Sequence, residues 1–522
     1  MDAVRRGDLA GSLQLQTWEK FVPESCPNPT SLGRELLGML QFRAVRLGAL
    51  VILIAGVGTE CFVTKLSVLD LDIWWHLSAG DWMVQHHAFP HTGILSRTAA
   101  GRPWMAYSWA YEILLSRSYA LLGFIGVGLF GTLLTIGVAL GVFWMIRRLS
   151  GRFWAGWILS IVVYSAFLFN IMPRPVFFSM LLYSVTLTLL LEANRSGRVQ
   201  LLYWLPLVFF VWANLHVQFI YGLFAVGLFA GINLLQHLAI SRGIYPESMA
   251  RPNLPSSRLW LVVAGSAAVT CLGPYNFHLY EVVFGYSSSK VIYSMITELQ
   301  APSFGGISHF LELSLAAGAF FAIGWQKKID PFKLALLAVA SIFALRATRD
   351  AWFLCITAAA MIADSPPSAE QREQPLRFRE FAGAGTVAAV LLLLIAGNVD
   401  FNTRGLDRVI SAEFPVDAVN YLRTHPVGGP LYNSFDWGGF LSFYMPEYPV
   451  AIDGRTDLYG GAMDSQFLAS EGAEASYATD PYLNEAGVVI LKNKVPLAKL
   501  LPTDSRFRVI YRDDVATVLA RN

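Results

Sequence analysis

The chain has 522 residues, 55% of them from the set AVILMFWYC and only 15% charged, with a formal net charge of +2. So few charges cannot cover a soluble surface of this size, and the near-neutral balance offers none of the basic excess that nucleic acid binding needs. Long apolar runs broken by short loops must then be bilayer helices, because lipid leaves open backbone groups without partners.

Residues 1–46 carry Arg5, Arg6, Lys20, Arg34, Arg43 and Arg46 and no cleavable signal core. They are expected to stay in the cytoplasm, with the span 47–63 acting as an uncleaved signal anchor. A first outer loop, 64–123, follows. It holds Asp70-Leu71-Asp72-Ile73-Trp74-Trp75-His76 and a helix over 108–122 whose Glu112 and Arg117 place it at the interface rather than across the membrane. Further spans are expected at 124–146, 156–172, 176–193, 201–215, 219–235, 259–273, 307–325, 333–345, 352–363 and 382–395, about eleven in all. Outer turns then fall at Pro173-Arg174-Pro175, at His216-Val217-Gln218, in a later loop 274–306, and at Arg346 to Arg349. The inner loops carry the excess of Lys and Arg, including Arg147, Arg148, Arg195, Arg198, Lys327 and Lys328. The expectation is a multi-pass protein of the cytoplasmic (inner) membrane, with the N-terminus inside.

From residue 398 the composition becomes that of a soluble domain. Helical patterns at 415–424, 464–470 and 496–501 alternate with strand patterns at 429–433, 449–452, 487–491, 507–511 and 515–519. This predicts a small α/β extracytoplasmic domain, 398–522, after a helical membrane domain, 47–397. Cys26, Cys61, Cys271 and Cys355 are scattered and none lies in this tail, so it must fold without disulfides.

The chemistry gathers at one end of the spans. Asp70 and Asp72 are either loop residues facing headgroups or an acid–base pair. A carboxylate there could deprotonate an acceptor, bind a metal or stabilise an oxocarbenium-like transition state. His76 shares a helical face with Asp72 if the segment is helical. Arg174 between two prolines suits a phosphate or lipid headgroup, with His216 and Arg349 on neighbouring outer turns. Taken singly, each is more often a snorkelling or helix-end residue than a ligand. Mid-span regions nearly free of ionisable groups argue against an ion-coupled transporter.

In its motifs the chain resembles the GT-C superfamily of membrane glycosyltransferases, and within it the catalytic subunit of oligosaccharyltransferase. There the first outer loop carries an Asp shortly before an aromatic-aromatic-His stretch, which Asp72-Ile73-Trp74-Trp75-His76 matches. A later-loop Thr/Ser-Ile/Val-x-Glu motif is met in part by Met295-Ile296-Thr297-Glu298. In the tail, Ser434-Phe435-Asp436-Trp437-Gly438 keeps the Asp-aromatic-Gly of a WWDYG motif, and Asp453-Gly454-Arg455-Thr456 follows. The resemblance implies transfer of a sugar or oligosaccharide from a polyprenyl phosphate or diphosphate carrier, with inversion, on the extracytoplasmic face. It implies catalysis by Asp72, Asp70 and Glu298, and donor-phosphate contacts from Arg174, His216, Arg349 and His76. It further implies acceptor contacts from Asp436, Trp437, Asp453 and Arg455, and a divalent cation (Mg or Mn) on Asp72 and Glu298. The acceptor would be a glycan, lipid or protein. Two departures stand out. Both tryptophans ahead of Asp436 are replaced, and the loop that carries a second acidic motif in the family has Arg174 instead. These motivate a second reading, a catalytically inactive GT-C relative that binds a lipid-linked glycan.

Overall fold

The computed structural model describes residues 38, 42–168, 172, 174–288, 297–364, 373 and 376–522. Arg5, Arg6, Lys20, Arg34, Cys26, Pro173, Met295 and Ile296 lie outside them. So does most of the inner loop 364–380.

Among the described residues a helix stands at each expected span position, and six helices are long and apolar enough to cross a membrane. The shorter ones are explained by their surroundings. Ala351–Ala363 has 13 residues and is buried along nearly its whole length. At about 1.5 Å per residue it rises only ~20 Å, short of the ~30 Å hydrocarbon core. Its neighbours, not lipid, cover it.

Trp109–Ser150 is two helices joined at Gly123, whose φ of 60° and ψ of −145° suit only a residue without a Cβ. The break falls where the sequence separates the 108–122 helix from the following span. Glu112 of the first part is buried rather than exposed to headgroups. The loop ahead of it is itself helical over Leu66–Leu69 and Ile73–His86. Gly80 lets the second of these meet the 109–122 helix in backbone contact, since a Cβ there would lie 2.1 Å from the Glu112 carbonyl oxygen.

Residues 398–522 carry a four-stranded mixed sheet: β1 (Leu431–Asn433), β2 (Val488–Lys492), β3 (Phe507–Arg512) and β4 (Ala516–Arg521), in the order β1-β2-β4-β3. β1 pairs with β2 in parallel, and β4 runs antiparallel to both its neighbours. The expected strand at 449–452 does not join this sheet. Asn433 binds its backbone through Ala451 N–H and Ile452 C=O, and Val450 pairs instead with the first outer loop, by way of Leu95 and Arg97. The region also holds helices that the patterning did not anticipate, among them Thr403–Glu413 and Gly438–Tyr444. Gly438–Tyr444 lies on the first-loop helix, where Gly439 approaches the Leu71 carbonyl and the Trp75 amide. Trp74 is the anchor of this contact: its ring lies 5.1 to 5.9 Å from those of Phe414, Phe440, Phe443, Tyr444 and Phe124.

The helix ends sort into two polar layers. At one end Arg148 pairs with Glu192, Asn194 bonds Asp330, and Lys333 pairs with Asp364. At the other end the first loop, residues 174–175, the turns at 216–218 and 346–350, residues 270–285 and the tail are gathered.

Candidate functional site

Four residues that the sequence singled out converge at this second end. Arg174, on the turn before Val176–Ser196, donates from Nε to Asp70 Oδ2 at 2.9 Å and from Nη2 to Asp70 Oδ1 at 2.7 Å. Its Nη1 lies 3.1 Å from Asp72 Oδ2 and 3.4 Å from Glu298 Oε1. Three segments far apart in sequence are thus tied by one guanidinium. Burial alone would pull the Arg174 pKa down, but the adjacent Asp70 and Asp72 carboxylates hold it well above the usual arginine value.

Within the cluster the carboxylates differ. Asp70 is buried, and besides gripping Arg174 it accepts the Asp72 amide N–H at 3.1 Å. Asp72 keeps a quarter of its side chain exposed, and its Oδ1 accepts from Trp75 Nε1 at 3.1 Å. Glu298 is more than half exposed. Asp72 is therefore the carboxylate that is both fixed and reachable. Above it sits Gly454 of the tail, where a Cβ would fall 2.5 Å from Asp72 Oδ1.

His76 stands one turn from Asp72 but turns away from it. Its Nδ1 bonds Glu112 Oε1 at 3.0 Å in a buried pair, and its ring lies tilted by 34° against Trp75, with centroids 3.6 Å apart. His216 is buried too. Trp212 Nε1 donates to Ser179 Oγ at 2.7 Å, and the same Oγ lies in hydrogen-bond contact with His216 Nδ1 at 2.8 Å. Burial, with the charges of Arg349 and His76 nearby, keeps the His216 imidazole well below its usual pKa and hence neutral. Arg349 is half-buried on the turn that follows Pro331–Arg346.

The tail residues divide. Asp436 is partly exposed and pairs with Lys492 at 3.4 Å. Trp437 is buried and donates to the Glu413 carbonyl at 3.2 Å. Asp453 and Arg455 form a fully buried two-point ion pair (2.9 and 2.6 Å), with Tyr459 donating to Asp453 and Arg455 lying over the Trp104 ring at 4.6 Å. As placed, these three present no side-chain atom to an acceptor. Asp453 and Arg455 fix the turn that brings Gly454 onto Asp72. Trp104 walls off a cavity of about 780 Å³, which His91, Tyr275, Asn276 and Asp457 also line. Trp104 also meets Trp75, the hydrogen-bond partner of Asp72, edge to face at 6.5 Å.

Glu112 was legible as a carboxylate in an apolar helix but carried no sign of its partner. Trp75, Ser179 and Gly454 gave no signal of their roles. Among the described residues no three His, Cys, Asp or Glu side chains are grouped to hold a metal ion. Asp72 and Glu298 face Arg174 instead.

No protein-family model matches the chain, and no curated protein matches it in sequence. Solved structures do. The archaeal oligosaccharyltransferase AglB from Archaeoglobus fulgidus, in complex with an inhibitory peptide and a dolichol-phosphate, is similar over 86% of this chain and 69% of its own, with a TM-score of 0.51 and 11% identity. ArnT from Cupriavidus metallidurans, bound to undecaprenyl phosphate, is similar over 90% of this chain and 97% of its own, with a TM-score of 0.45 and 13% identity. The likeness to AglB is one of fold.

Proposed function

We propose that this GT-C protein is a membrane glycosyltransferase that moves a sugar or oligosaccharide from a polyprenyl phosphate or diphosphate carrier to an acceptor on the extracytoplasmic face. One observation carries the reading. Asp72, partly exposed, is held by Trp75 and Arg174 at the end of the bundle where the outer loops meet beneath the tail. The AglB structure contains a dolichol-phosphate, and a carrier of that chemistry entering from the bilayer would bring its anomeric carbon to this end.

In the proposed step the acceptor heteroatom attacks the anomeric carbon while the bond from that carbon to the carrier phosphate oxygen breaks. The acceptor proton passes to Asp72, whose negative charge also favours the oxocarbenium-like transition state. The phosphate leaves as an anion toward Arg349 and neutral His216, whose ring the Ser179 hydroxyl holds at 2.8 Å. A single displacement inverts the anomeric centre. Asp453 and Arg455 serve by seating Gly454, and the cavity behind Trp104 is the space available to the acceptor.

The test is turnover of radiolabelled polyprenyl-phosphate sugars by the purified protein in liposomes, with and without Asp72→Asn. Transfer by the native chain and loss in the variant supports the reading. A donor that binds but is never consumed, under any acceptor mixture, supports the inactive-scaffold reading, which the two replaced tryptophans favour.

A further inference from the structure

The resemblance to oligosaccharyltransferases implies a divalent cation on Asp72 and Glu298, helped by an acid from the loop in which this chain carries Arg174. The residues present do not fit that ion. An ion bound to Asp72 Oδ2 and Glu298 Oε1 at the usual ~2.0–2.6 Å would lie against Arg174 Nη1, which is already 3.1 and 3.4 Å from those two oxygens. The guanidinium cannot give up its charge there, since arginine stays protonated in proteins. Nor is it free to swing aside, because Nε and Nη2 are gripped by buried Asp70 at 2.9 and 2.7 Å.

We propose that Arg174 is the built-in cation of this site and takes the position a divalent ion would hold. Its planar fork faces two ways. One edge is locked on Asp70; the remaining nitrogen faces Asp72 and Glu298 and holds them toward the reacting atoms. A guanidinium supplies positive charge and orientation, and no chelator removes it. The chain is therefore metal-independent at this centre, and the acid-to-arginine replacement is what makes it so. The metal-binding claim stands on the geometry alone; only its catalytic consequence rests on the transfer reading.

The probe is Mn²⁺ itself, followed by the electron paramagnetic resonance signal of the free ion over purified full-length protein in detergent. The native chain is expected to take up no Mn²⁺ at this site, and its Tm should be the same in Mn²⁺ and in EDTA. Arg174→Asp, which leaves four carboxylates together, is expected to gain a stoichiometric Mn²⁺ and a Tm that rises with the ion. Adding Asp72→Asn to that variant should remove both. Stoichiometric uptake by the native chain that Asp72→Asn abolishes overturns the proposal. So does an Arg174→Asp protein that is folded and monodisperse yet takes up none. If Arg174→Asp does not fold without the ion, purifying it in Mn²⁺ and then chelating reads the same dependence, and failure to fold under both conditions leaves the decision to the native titration. Because no sugar transfer is measured, a native chain inert toward every donor would remove the proposed function while leaving this result intact.

Discussion

Gly454 comes closer to Asp72 than any residue with a side chain could, since a Cβ would stand 2.5 Å from Oδ1. Gly454→Ala must therefore move either the carboxylate or the tail loop. Displacement of a reacting group by about 1 Å costs on the order of 10²-fold in rate, so transfer should fall by about that factor with little change in Tm. Asp72→Asn removes the base itself and should cost ~10²–10⁴-fold while the protein still inserts and elutes as the native chain does. The tail supplies a pH signature at the same scale. Burial pushes the Asp464 carboxyl up to about 7, and both its oxygens are buried without hydrogen-bond partners. Glu471 is likewise pushed up to about 7, by burial first. The native state thus keeps protons that the unfolded chain releases near pH ~4. The unfolded state binds fewer protons between those limits, so stability falls as pH rises from ~4 to about 7 and levels off above. Thermal unfolding across that range should show this slope, and Asp464→Asn should flatten it. Asp70, Asp72, Arg174 and His216 could be picked out from sequence because charge and imidazole stand out beside apolar spans. Ser179 and Gly454 could not, because their roles exist only once distant segments touch.

At the scale of elements, the helices at the span positions and over 108–122 were readable, and the rest of the first loop was not. Lipid demands long apolar runs, and those survive in any sequence window. The helix Ile73–His86 is buried on most of its sides, so it shows no amphipathic stripe to betray it. Gly438–Tyr444 opens with two glycines, poor helix formers, tolerated because each faces another backbone. These two hidden helices form the joint between membrane half and tail, with Trp74 at its centre. Trp74→Ala would empty that aromatic cluster, at a cost of about 3–5 kcal/mol. The expected outcome is a lower Tm and faster protease cleavage around residues 398–402, with the tail sheet itself still folded. Unchanged cleavage would mean that the tail is held elsewhere, for instance by the pairing of Val450 with Leu95 and Arg97.

At the scale of the whole molecule, the two polar layers differ in kind. The end away from the site holds basic residues in structural pairs: Arg148 with Glu192, Arg195 and Lys333 with Asp364, and Arg46 with Glu373. The site end holds the carboxylate cluster on Arg174 and the whole of the tail. Lys and Arg excess marks the cytoplasmic side of membrane proteins, so the basic end should face the cytoplasm and the tail the outside. This orientation is what gives the proposed reaction access to a carrier in the outer leaflet. It is checked by labelling with a membrane-impermeant maleimide in a chain whose four cysteines are replaced. Lys499→Cys, exposed on the tail, should react in intact cells. Arg198→Cys, exposed on the turn after Val176–Ser196, should react only after the membrane is opened. The reverse pattern would put Asp72 in the cytoplasm, where the donor would have to be presented on the inner leaflet, and the extracytoplasmic assignment would fall while the geometry of the cluster stood unchanged.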